Sequence, residues 1–137
     1  MGADISVKAS GDAAAPSGVT LEDSAIYWYL YQYFEKANRH PKKGPLIDLY
    51  GNSEIGGYQL ERLINMLHEA EKDILARPSE WSVMTGWRVV MDKKETERGE
   101  MLRKMLSRDK ALQTVRSILN LALYAQNRGL SLRSFGD

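Results

Sequence analysis

An α+β fold, mainly helical with about four helices and a few short antiparallel strands, is what this sequence predicts, and three patterns predict it. Apolar residues recur at helical spacing from Leu60 to Ile74, and β-branched and aromatic residues alternate between Trp81 and Met91. Two further helical stripes follow, one over Met101, Leu102, Met105 and Leu106 and one from Leu112 to Ala122. A chain of 137 residues can hide about two-thirds of its unfolded surface in one core. Its 43% hydrophobic and 27% charged content is ordinary for a globular domain.

From the N-terminus, residues 1–19 are rich in Gly, Ala, Ser and Asp and offer little to pack, which predicts a disordered tail and leaves 20–137 as a single globular domain. Thr20 then reads as a helix N-cap, with Glu22 and Asp23 in the first turn, where carboxylates suit the exposed amides. Ile26, Leu30, Tyr33, Phe34 and Ala37 follow at helical spacing, although Tyr27, Tyr29, Tyr31 and Tyr33 also alternate as in a strand; the cap and the Glu35-Lys36-Ala37 ending favour helix. Asn38, Pro41, Gly44 and Pro45 close it with a loop. Leu46, Ile47, Leu49 and Tyr50 before Gly51-Asn52, and Ile55 before Gly56-Gly57, predict a small hairpin. From Tyr58 the stripe Leu60, Leu63, Ile64, Leu67 and Ile74 predicts an amphipathic helix that stops near Pro78.

The alternation that follows places Trp81, Val83, Thr85, Trp87 and Val89 on one side of a strand, with both tryptophans assigned to the core and interface anchors as the alternative. Asp92 and Glu95 have the separation of an N-cap and its reciprocal partner, which predicts a charged helix from there to Leu106. The stripe of Leu112, Val115, Ile118, Leu119 and Ala122 points in another direction, so a new helix is expected to start at Ser107 and Asp109 and to end at Asn127, Arg128 and Gly129. Leu130, Leu132 and Phe135 read as a short terminal strand.

The chemistry excluded is as informative as the elements. There is no cysteine, hence no disulfide and no thiol nucleophile, which suits a reducing cytoplasm. The first residues lack the basic and apolar regions of a secretory signal, and no run of about eighteen apolar residues occurs, so no membrane span is expected. Nineteen basic against eighteen acidic residues create no global field towards nucleic acid. His68-Glu69 starts the helical zinc-protease pattern, but position 72 is Lys where a second imidazole is needed, so no metal or other cofactor is expected. No phosphate-binding glycine loop and no nucleophile elbow is present; Gly56-Gly57 reads as turn chemistry.

Glu54, Glu61, Glu69, Glu71 and Asp73 could supply an acid and a base only if folding selected a pair, which keeps an enzyme with carboxylate acid/base chemistry as one alternative. Arg98, Arg103, Lys104, Arg108, Lys110 and Arg116 form the densest basic region, and a small nucleic-acid-binding regulator using 98–116 is another. On a helical projection these cations scatter around the axis, which weakens that reading. The segment from Tyr27 to Phe34 holds more rings than one stripe can bury, so Tyr27 and Tyr31 are expected among partly exposed interface aromatics; the competing reading is a central helix covered on several sides.

Asp48-Leu49-Tyr50-Gly51-Asn52, with Ile55, Gln59-Leu60 and Leu63, and the terminal Leu132, Phe135, Gly136 and Asp137, resemble the small bacterial immunity proteins of polymorphic toxin and contact-dependent inhibition systems. The resemblance implies a cytoplasmic, non-catalytic protein that occludes a cognate toxin by surface complementarity. The expected function is therefore a protein-interaction module with a toxin or a second copy of itself as partner, docking through Asp48, Tyr50 and Glu54 together with Tyr27 and Tyr31.

Overall fold

The computed structural model describes residues 4–9, 17–22, 25–38, 44–48, 51–91 and 97–136, with backbone alone at 4–9, 22, 87, 90 and 98. In chain order they form β1 (Asp4–Ala9), β2 (Val19–Glu22), α1 (Ala25–Ala37), β3 (Asn52–Ile55), α2 (Gly57–Leu75), β4 (Glu80–Met91), β5 (Glu97–Ser107), α3 (Arg108–Asn127) and β6 (Leu132–Phe135). The predicted fold class is corrected by this order. Three helices share the described residues with six strands in two antiparallel sheets, so the chain is α+β but not a four-helix, mainly helical domain.

The difference lies at 97–107. Met101, Leu102, Met105 and Leu106 fit a helical stripe, but they fit a strand equally well, and eleven backbone pairs with β4 decide for the strand. Asp92 and Glu95, the expected cap, lie outside the described residues. The tail reading is corrected too: residues 4–9 pair with β2 on one side and β6 on the other, giving a four-stranded sheet of order β2-β1-β6-β3. Backbone hydrogen bonds place β1 there, a contribution that side-chain composition does not register. Thr20 belongs to β2 and caps no helix, and Ile55 pairs with Leu132 of β6; Leu49 and Tyr50 of the expected hairpin lie outside the described residues. The pairing at β3 thus joins residues almost 80 positions apart.

Other expectations hold. α2 buries Leu60, Leu63, Ile64, Leu67, Ala70 and Ile74, one face of the helix at spacings of three and four. Ser107 caps α3, its Oγ accepting from the Lys110 amide at 3.3 Å, and Gly129 closes the helix at φ +65°, a conformation costly for residues with a Cβ. β4 and β6 fall where predicted.

α1 is the centre of the core. Eight of its 13 residues are buried, because α2, the base of the β4–β5 hairpin and β2 all pack around it. Its C-terminal carbonyls are satisfied from outside the helix: Arg62 of α2 donates to the Ala37 and Lys36 carbonyls, each at 3.0 Å, and the Leu46 amide donates to Phe34 O at 3.0 Å. α3 packs along α2 and against β1, β2 and β6, so the four-stranded sheet closes one side of the helices. Among its described side chains, the hairpin joins the core at its base, through Trp81, Val83 and Leu106.

Candidate protein-docking surface

The residues singled out in the sequence do not form one site. Tyr27 is 1% exposed, and its hydroxyl donates to the buried Ile47 carbonyl at 2.9 Å; it ties the 44–48 segment to α1 and is a core residue, not an interface aromatic. Tyr31 is half-buried beside Trp28, and its phenol pKa is raised by burial and then by the carboxylates of Glu35 and Asp48. Tyr31 and Asp48 are therefore electrostatic neighbours. Glu54 stands exposed on β3, accepts from Ser131 Oγ at 2.8 Å, and shares a shallow depression with Asn52, Ser53, Arg133 and Phe135. Tyr50 lies outside the described residues.

The surface that no local pattern announced is one face of the hairpin. Cross-strand register pairs Ser82 with Met105, Met84 with Arg103, Val89 with Gly99 and Met91 with Glu97, which places these residues on the side facing away from Trp81, Val83 and Leu106. An irregularity between Met84 and Gly86 shifts the alternation, so Val89 leaves the face of Trp81 and joins that of Met84. The expected single face of Trp81, Val83, Thr85, Trp87 and Val89 is corrected accordingly; the Trp87 side chain is not among the described ones. Met84, Val89, Met91, Met101 and Met105 are exposed by 45%, 69%, 59%, 41% and 61%. Together they present roughly 500 Å² in one stripe, in the upper part of the range for the largest apolar patch of a monomer. Methionine side chains are flexible and polarisable, well suited to moulding against a partner.

Arg103 lies across this face, its Nε 3.3 Å from Met101 Sδ and its Nη1 3.2 Å from Ser82 Oγ. The opposite face carries the cross-strand Arg88–Glu100 ion pair at 2.9 Å. A strand with a large side chain at every second position from Met101 to Met105 was the available signal. It was masked because Leu102 and Leu106 complete a helical pattern with the same methionines.

The other constellations are structural. Tyr33 donates to Asp73 Oδ2 at 2.6 Å and touches the Tyr29 hydroxyl, while Arg77 lies over the rings of Tyr29 and Trp81 at 5.5 and 5.3 Å, which links α1, α2 and β4. Burial, followed by the hydrogen bond to Asp73, raises the Tyr33 phenol pKa well above its usual value. Five surface depressions each contain at most one carboxylate, so none of them brings two carboxylates together. No group of three or more metal-ligating residues occurs among the described residues. The basic region is divided between β5 and α3; Arg103 lies on the methionine face, Lys104 on the opposite face of the strand, and Arg116 pairs with Glu71 at 2.8 Å. Among the described residues no helix is long and apolar enough to cross a membrane. No protein-family model, curated protein or solved structure matches this chain.

Proposed function

We propose that this chain is a non-catalytic protein-binding module whose docking surface is the outer, methionine-rich face of the β4–β5 hairpin. The observation that carries the proposal is the set of five large apolar side chains exposed on one side of a hairpin that, among the described side chains, joins the core through its base. A two-stranded ribbon is marginal by itself, so its distal half gains from being covered. The resemblance of Asp48-Leu49-Tyr50-Gly51-Asn52 to immunity proteins supports a toxin-type protein as one ligand, met in the cytoplasm and blocked by occlusion.

The test is co-expression with the products of neighbouring genes, followed by co-purification with the parent chain and with a Met101→Glu/Met105→Glu variant. Both substitutions fall on exposed positions and leave the core untouched, so folding, read by circular dichroism and the urea midpoint, is expected to be retained while a bound protein is lost. A protein partner held equally by parent and variant would place docking elsewhere and sink this reading.

A further inference from the structure

We infer that the hairpin face is a two-fold self-association surface, covered by a second copy of this chain; the inference rests on the docking reading above and names its partner. The outer face of β5 runs Glu97, Gly99, Met101, Arg103, Met105. A two-fold axis lying between two stacked hairpins, perpendicular to the strands at the level of residue 100, exchanges 97 with 103 and 99 with 101. Glu97 of one copy then meets Arg103 of the other, twice by symmetry, and Met101 enters the space left by Gly99. On β4 the same operation exchanges Met91 with Met84, because Met91 is the register partner of Glu97 and Met84 that of Arg103. Glu97 thus meets Arg103, Met91 meets Met84 and Met101 meets Gly99, while Met105 and Ser82 lie beyond the span that the axis exchanges among the described residues.

Within one chain this ion pair cannot form. Six residues of extended strand separate Glu97 and Arg103 by about 20 Å. Among the described residues neither makes an ion pair, and Arg103 is held on the outer face by a thioether and by the Ser82 oxygens alone. Self-complementarity of this kind is what an isologous interface requires. Stacking would cover Met84, Val89, Met91 and Met101 of each copy together with Glu97 and Arg103, on the order of 1,000 Å² in total, the size of a weak, transient interface. A dissociation constant of roughly tens of micromolar follows from an interface of that size without deep anchors.

Analytical ultracentrifugation of the full chain up to about 500 µM reads the dimer directly. The parent chain is expected to dimerise, and Met101→Glu and Met91→Glu, whose exposed side chains meet Gly99 and Met84 of the other copy, are expected to be monomeric at every concentration. Glu97→Arg and Arg103→Glu, each producing like charges in both symmetric pairs, are expected to raise the dissociation constant at least about tenfold. The double reversal Glu97→Arg/Arg103→Glu is expected to return it to within about threefold of the parent, because the pair is rebuilt with its signs exchanged. Circular dichroism and the urea midpoint of each variant confirm a folded chain. A parent that stays monomeric, a dimer that survives both methionine substitutions, or a double reversal no better than the single ones would each overturn the inference. A monomer that still holds another protein through Met101 and Met105 would sink self-association while leaving the docking reading intact; a monomer that holds none would sink both.

Discussion

Replacing Tyr27 by Phe separates the two roles this residue could have. The hydroxyl donates at 2.9 Å to the carbonyl of Ile47, and the two residues are 1% and 0% exposed. Phe keeps the ring and its edge contact with Trp28, 5.2 Å between centroids, so packing changes little. What changes is the Ile47 carbonyl, which loses its donor in a place that water does not reach. The cost of a buried acceptor left without its partner is about 1–3 kcal/mol. For a chain of this length that corresponds to a fall in Tm of roughly 3–10 °C. Urea unfolding followed by far-UV circular dichroism measures it, without the change in fluorescence that altering a neighbour of Trp28 would introduce. Dimerisation and docking are expected to be unchanged, because the side chain has no surface to offer. A variant as stable as the parent, or one that is stable but loses its partner, would refute the placement of Tyr27 as a tie between α1 and the 44–48 segment.

Tyr33, whose phenol pKa is raised in the folded state, contributes stability that is complete below the ordinary tyrosine value of 10.0 and is lost as pH climbs above it, since the unfolded chain ionises first. The urea midpoint should therefore fall between pH 9.5 and 11, and Tyr33→Phe should flatten that fall; an unchanged slope in the variant would assign the effect to other groups. Ser107→Ala removes the cap that accepts from the Lys110 amide and is expected to cost about 1 kcal/mol in denaturant unfolding, with Ser107→Asp close to the parent; equal loss in both variants would argue against capping. Glu71→Gln breaks the Arg116 pair between α2 and α3, whose side chains are 27% and 56% exposed, and is expected to cost less than about 0.5 kcal/mol, fading at high salt; a loss of several kcal/mol would contradict the solvent screening of that pair.

The sequence by itself determined the elements whose signals are local. The stripe from Leu60 to Ile74, the alternation that opens at Trp81, the cap at Ser107 and the left-handed stop at Gly129 each lie within a few residues of the structure they specify, because side-chain period and capping act over one or two turns. Tertiary structure alone decided which strands pair. β1 pairs with nearby β2 on one edge, but its other edge is taken up by β6, more than a hundred residues later, and β3 takes its place beside the same β6. The segment 97–107 reads as a helix until β4 lies beside it, since its apolar residues satisfy both periods and the longer pairing wins. The docking face depends on that choice. As a helix, Met101 and Met105 would have turned towards a core with Leu102 and Leu106; as a strand, every second residue reverses direction, so Trp81 and Leu106 enter the core and the methionines are left outside it.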